Sequence, residues 1–220
     1  MGGAAVIERQ AAASGADADD GLVGLCRTLR TDPDAWNRWA AATALGTRGD
    51  SAAIPALLSG ITDAHPAVRL CVAEALGRLG AGDPRVAPAL CCLLVDSDRG
   101  VRAATLEALG DVRDPVALPA VRTRLAAERG IPDVRLWVLY ALARLGDAPF
   151  PVGRVIGYLR RYRTIEARIA AARVLSRAAS PETAERIMEA LEAAAQREAA
   201  PGVQEALRQH AAAVRRGVHP

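Results

Sequence analysis

A phrase recurs about six times along this chain: a valine or its stand-in, then arginine, then small apolar residues that close on Ala-Leu-Gly or a near equivalent. It reads Asn37-Arg38…Ala44-Leu45-Gly46, Val68-Arg69…Ala75-Leu76-Gly77, Val101-Arg102…Ala108-Leu109-Gly110, Val134-Arg135…Ala141-Leu142, Ala167-Arg168…Val174-Leu175 and Val203-Gln204…Ala211. The arginines stand at 38, 69, 102, 135 and 168, so the spacing is 31 residues and then 33 three times. A period of this length belongs to stacked helix pairs, each of which buries its apolar face only against its neighbours. Such an array makes a surface, and by itself it names no chemistry.

Composition agrees with helices packed closely. Hydrophobic residues make up 51% of the 220, yet only 3% are aromatic, so the interior must be built from Ala, Leu and Val. Ala and Leu are also strong helix formers. All 28 basic residues are Arg, a permanent, forked donor, and the usage fits a GC-rich genome. The formal net charge of +3 falls well short of the concentrated basic footprint of a dedicated nucleic-acid binder. Cys26, Cys71, Cys91 and Cys92 have no metal-ligand spacing and lie in apolar helical pattern, which reads as free thiols in a reducing cytoplasm. The chain holds no apolar run of about 18 residues, and its Met-Gly-Gly-Ala-Ala-Val start fits neither a signal peptide nor a myristoylation motif; we read it as soluble and cytoplasmic, without a membrane anchor.

Turn signals divide the chain into twelve helices. They lie at Asp32-Pro33-Asp34, Gly46 to Asp50, Asp63 to Pro66, Gly80 to Pro84, Asp96 to Gly100, Gly110 to Pro115 and Gly130 to Pro132, and then near Gly146 to Pro151, Arg161 to Thr164, Ala178 to Pro181 and Ala199 to Gly202. First helices carry a Pro-x-Leu type pattern, as in Ile54-Pro55-Ala56-Leu57-Leu58 and Ala87-Pro88-Ala89-Leu90, and second helices carry the Val-Arg phrase. Over roughly residues 20 to 214 this alternation resembles the HEAT-like repeats first noted in phycobiliprotein lyases. The resemblance implies an all-α, right-handed α-solenoid of about six helix pairs. We expect a flexible lead-in at 1–18, a single solenoid over 19–214 and a tail at 215–220, with the polar last repeat (Gln204, Glu205, Arg208, Gln209, His210) acting as a cap.

With the Val of each phrase as position zero, positions 0, +4, +7 and +8 share one side of the second helix and form its core face, as in Val68, Val72, Ala75 and Leu76. In the resembled family the Arg at +1 pairs with a turn Asp to form a ladder between repeats. Asp32, Asp63 and Asp96 stand five residues before position zero, so Arg38, Arg69 and Arg102 read as scaffold. Arg129 and Tyr162 hold the equivalent places further on, so Arg135 and Arg168 are expected to lack the turn carboxylate. With Arg129, Arg160, Arg161 and Arg163 they form a candidate anion-binding edge, or else a merely solubilising one with Asp133 and Glu166 as counter-ions.

In the resembled family the second helix lines the concave surface. Position +2, expected to face away from the core, reads Trp39, Leu70, Ala103, Leu136, Ile169 and Glu205, an apolar stripe. Position +6 adds Glu74, Glu107, Tyr140 and Arg173, while Trp36 and Asp133 stand at −1 and Trp137 at +3. Trp36, Trp39, Leu70, Glu74, Glu107, Asp133, Leu136, Trp137, Tyr140, Ile169 and Arg173 are therefore the candidate partner-binding groove, fit for an extended or helical segment of another protein. An alternative is packing of the stripe between neighbouring helices, and another is self-association. A second function class is nucleic-acid binding through the basic edge, with HEAT-like alkylpurine DNA glycosylases as a comparison for Asp133, Trp137, Tyr140, Arg135 and Arg168. A third is a small-molecule or enzyme site at Glu107, Asp133 and Tyr140. Phosphate-loop, zinc-protease and nucleophile-elbow motifs are absent, and neither His65, His210 nor His219 sits in a ligand spacing, so no catalytic residue, metal or cofactor is expected.

Overall fold

The computed structural model describes residues 18–128, 132–162 and 164–217. Residues 1–17 of the expected 1–18 lead-in and the last three residues lie outside the described set, as do Arg129, Arg163 and the side chain of Arg160, while Ala18 already belongs to the first helix. Among the described residues there are twelve α-helices and no strand. In chain order they are α1 (Ala18–Thr31), α2 (Ala35–Arg48), α3 (Ile54–Ser59), α4 (Pro66–Leu79), α5 (Val86–Leu93), α6 (Arg99–Val112), α7 (Leu118–Ala127), α8 (Pro132–Arg144), α9 (Val152–Arg161), α10 (Ile165–Arg177), α11 (Ala184–Arg197) and α12 (Pro201–Arg215).

The turn residues work as caps. Asp34 and Asp98 accept from backbone N–H groups at the starts of α2 and α6, and His65 does the same for α4 through its ring nitrogen. Pro66 and Pro201 occupy first helical turns, where a missing N–H is harmless. Short 3-10 turns at Ser51–Ala53, Gly60–Thr62 and Pro115–Ala117 tighten the entries and exits of first helices.

Two compact units divide the chain, at 1–124 and 125–220, with the boundary inside α7. Within the first unit α2 packs on α4 and α4 on α6, while α1 packs on α3; within the second α8 and α12 both pack on α10, and α9 on α11. Second helices thus stack on second helices, and first on first. The core consists of the residues expected at 0, +4, +7 and +8: Val68, Val72, Ala75, Leu76, Val101 and Leu109 are all at 0% exposure.

The closing glycine of the phrase has a packing role. A Cβ on Gly46 would lie 2.8 Å from Ala75 Cβ, and one on Gly77 would lie 2.8 Å from Ala108 Cα. Each +9 glycine therefore receives the +7 alanine of the next repeat, and the two backbones approach as closely as they do only because both residues are small. The second unit solves the same seam differently. Ser176 stands at +9 and His210 at +7 of the following repeat, and Ser176 Oγ and His210 Nδ1 are hydrogen-bonded at 3.1 Å. Burial, with Arg173 nearby, pushes the His210 imidazole below its ordinary pKa, so the neutral ring is favoured.

Candidate partner-binding surface

The repeated arginine at +1 clamps two turns at once. Arg38 Nη1 donates to the carbonyl oxygens of Asp32 and Pro33 in its own turn, at 2.9 and 3.1 Å, while Nε and Nη2 donate to Asp63 of the next turn at 2.7 and 2.9 Å. Arg69 repeats the arrangement, with the Asp63 and Ala64 carbonyls on one side and Asp96 at 2.6 and 2.9 Å on the other. Each acid also accepts an N–H from its own turn, from His65 onto Asp63 and from Asp98 onto Asp96. The Arg69 hydrogen bond holds the Asp96 carboxyl below its usual pKa despite burial, and at Asp63 the burial penalty is outweighed by Arg38 together with the His65 N–H.

The pairing runs from each arginine to the acid of the following repeat, and this corrects the expectation for Arg168. Glu198 lies five residues before Val203, and Arg168 donates to it through Nε at 2.9 Å, with Nη2 at 2.8 Å. Arg168 Nη1 donates to the Tyr162 carbonyl at 3.2 Å, as the clamp requires. Arg168 is an internal rung and contributes no uncompensated charge to an anion-binding edge. The sequence carried the signal, since Glu198 holds the same position with the same charge and one more methylene. Of the other edge candidates, Arg135 is half-buried with Nη1 donating to the Leu125 carbonyl at 2.8 Å, and Arg161 is exposed.

The candidate groove residues separate by unit. In the first, Trp36 is 69% exposed, Trp39, Leu70, Glu74 and Ala103 are half-buried, and Glu107 is buried at 8%. The Trp36 and Trp39 rings meet edge to face, with centroids 5.6 Å apart. Burial pushes the pKa of the Cys71 thiol on α4 up, against the opposing influence of Thr43. Leu70 reaches over Gly100, whose Cβ would lie 3.3 Å from Leu70 Cδ1. Trp36 is thus exposed on α2, and Trp39 and Leu70 are partly exposed on α2 and α4.

The expectation that positions +2, +3 and +6 face away from the core fails for Glu107 on α6, which is buried, and throughout α8 in the second unit. Leu136 is 1% exposed, Trp137 4% and Tyr140 1%. Trp137 and Tyr140 meet edge to face at 5.5 Å, Arg173 lies over the Trp137 ring at 5.3 Å and Arg144 over Tyr140 at 5.9 Å. These rings are packed and capped, which leaves no open aromatic cleft for a flipped base. The physical reason is that α8 is apolar nearly all round, and such a helix is buried on more than one side. Asp133 is half-buried at the start of α8, and Ile169 and Arg173 are half-buried on α10.

Two clefts flank ladder rungs, one of about 640 Å³ beside Arg168 and Glu198 and one of about 450 Å³ beside Arg38 and Asp63; neither is lined by Asp133 or Tyr140. Among the described residues no three His, Cys, Asp or Glu side chains are grouped to hold a metal ion, and no helix is long and apolar enough to cross a membrane.

Stacked helix pairs, the arginine ladder and the glycine-alanine seams define a helical-repeat solenoid. Residues 22–104 match the family of HEAT repeats, and the fold of the described residues is that of a HEAT-like helical-repeat solenoid. The same fold occurs in the complex of CpcE and CpcF of phycocyanin lyase from a Nostoc species, with a TM-score of 0.54 and 20% identity over 90% of each chain. Human deoxyhypusine hydroxylase, solved in complex with glycerol, is similar with a TM-score of 0.50 and 21% identity, over 89% of this chain and 84% of that one. At these identities the likeness is one of fold. No curated protein matches the sequence.

Proposed function

We propose that this chain is a protein-binding scaffold whose first unit recognises a partner segment through the exposed face of α2 and α4. The observation that carries the reading is Trp36, a large aromatic left 69% exposed in a chain with only three tryptophans, in edge-to-face contact with a second. Tryptophan is among the residue types most enriched at interface anchors, and an exposed ring packed on a second ring offers a larger apolar surface than a singly exposed residue. Support comes also from the structural relative that is itself a complex of two proteins, CpcE and CpcF. In the second unit, Ile169 with Arg173 are the only candidate groove residues on α10, both half-buried, and they are a weaker surface than the tryptophan pair.

The test compares the chain with a Trp36→Ser, Leu70→Ser variant, both immobilised in native extract, with the captured protein then reconstituted from purified parts. Binding should fall at least about 30-fold, as expected for loss of two interface anchors, with helicity and melting nearly unchanged. Undiminished binding, or unfolding of the variant, contradicts the assignment. Amide exchange on the reconstituted complex should protect α2 and α4; protection confined to α9–α12 would move the surface to the second unit.

A further inference from the structure

We propose that the Trp36–Trp39 pair receives an arginine of the partner segment, its guanidinium lying on the open face of Trp36 beside the carboxylates of Asp32 and Asp34. The proposal rests on the reading of the α2–α4 face as protein-binding, and it specifies the chemistry of what binds there.

The first support is a comparison inside the molecule. Both units carry an aromatic pair three residues apart on a second helix, Trp36 with Trp39 and Trp137 with Tyr140, and both pairs meet edge to face at nearly the same separation, 5.6 and 5.5 Å. In the second unit each ring is capped by a guanidinium, Arg173 over Trp137 and Arg144 over Tyr140. Trp36 is left 69% exposed. A guanidinium is the cation that fits such a ring: it is planar, weakly hydrated and attracted by the negative face of the π system, most strongly for tryptophan.

The second support is the ladder. Asp63, Asp96 and Glu198 each accept a turn N–H and the guanidinium of the arginine one repeat earlier. Asp32 holds the same position in the first repeat and accepts the turn N–H from Asp34 at 2.9 Å. Among the described residues no earlier repeat supplies it with an arginine; its oxygens instead accept from Asn37 Nδ2, both at 3.2 Å. Asn37 itself is exposed at a position where the other repeats carry buried Val or Ala. Asp34, two residues before Trp36 and hydrogen-bonded to its N–H, adds a second carboxylate. Arg38, the nearby cation, is already committed to Asp63 and to two turn carbonyls. A ring and an acid of the kinds that elsewhere in this chain take guanidinium groups therefore stand four residues apart at the start of α2, with Trp36 exposed and Asp32 half-buried.

The occupant argued here is a peptide segment of another protein that presents arginine next to apolar residues. The experiment is a display selection of random peptides on the immobilised full chain, counter-selected on the Trp36→Ala variant, followed by anisotropy of the winners and their citrulline twins. Peptides specific to the unaltered chain should share an arginine, and replacing it with citrulline, which keeps the shape and removes the charge, should weaken binding about 10-fold or more. Asp32→Asn with Asp34→Asn, which preserves turn and cap hydrogen bonds, should weaken the arginine peptide and leave the citrulline twin unchanged, while Trp36→Phe should retain much of the binding. Peptides that depend on Trp36 but lack arginine, or citrulline twins that bind equally, overturn the guanidinium site and leave the protein-binding face standing. No peptide that distinguishes the chain from Trp36→Ala overturns both. Concentration-dependent dimerisation of the free chain, abolished by Trp36→Ala, also overturns the proposal, because the occupant is then a second copy.

Discussion

The two units carry the same aromatic device for different ends. On α8, Trp137 and Tyr140 are 4% and 1% exposed and closed over by Arg173 and Arg144, so their ring area is spent on packing. On α2, Trp36 with almost the same ring geometry stands in solvent. The two pairs stand about one helical turn apart in the repeat, at −1 and +2 in Trp36 and Trp39 and at +3 and +6 in Trp137 and Tyr140, and only the second pair is covered. The difference is chemical as well as spatial, because the seam that Gly46 and Gly77 close with alanine in the first unit is closed by a Ser176–His210 hydrogen bond in the second.

The largest separation between the units should come from their tryptophans. Trp137→Ser removes a buried ring and its contact with Arg173, and should destabilise the protein by about 3–5 kcal/mol in urea unfolding. An effect below about 1 kcal/mol would mean that the α8 ring is not structural. Next is the ladder. Arg69→Ala strands Asp96, whose side chain is only 7% exposed, and should cost about 2–3 kcal/mol, somewhat below the figure for a fully buried pair because Arg69 is 14% exposed. Arg168→Ala should behave alike through Glu198, whereas a silent Arg168→Ala would restore the view that its edge is a free basic surface.

The ladder also sets the acid limb. The Asp96 carboxyl is held below its ordinary pKa of 3.8 by Arg69, so its contribution is fully present above that value and is lost as pH falls through the lower native value. Arg69→Ala should therefore flatten the stability loss in that window, measured by urea midpoints at successive pH values.

Smaller still is the glycine seam. Gly77→Ala gains about 1 kcal/mol of helix propensity, but its Cβ would meet the Ala108 backbone at 2.8 Å, which cannot give way as a flexible side-chain end would. We expect net destabilisation of about 1–2 kcal/mol from overpacking, and a gain in stability would show that α4 and α6 can slide apart. At His210 the native pKa is depressed below 6.5 by burial and by Arg173, so the unfolded chain binds a proton first as the solution acidifies. Stability should decline as pH falls from 6.5 toward the native value, and His210→Gln should remove that slope while still offering a partner to Ser176.

Much of the fold was legible because periodicity, caps and turn residues are local: Asp34, His65 and Pro66 mark helix starts wherever they occur, and a repeated Val-Arg phrase must face the same way each time. The direction of the ladder was less so. Spacing identifies Arg38 and Asp32 as members but does not say that Arg38 reaches forward to Asp63, since that depends on the separation of successive turns in space. The acid that Arg168 meets, Glu198, belongs to the last repeat, one repeat beyond Tyr162. Of the candidate surface, exposure separates Trp36 from the buried Glu107, Leu136, Trp137 and Tyr140. A helical wheel assigns Leu136, Trp137 and Tyr140 to an outer face, yet nothing in one helix records what covers it; the apolar character of α8 on all sides was the available warning.

The most direct measurement is a side-by-side comparison of Trp36→Ser and Trp137→Ser, each followed by urea unfolding and by binding of the reconstituted partner. The account predicts that Trp36→Ser stays within about 0.5 kcal/mol of the unaltered chain, as a surface change should, and loses binding, while Trp137→Ser is destabilised several-fold more and, where still folded, binds normally. The reverse pattern, with stability falling at Trp36 and binding at Trp137, would contradict it.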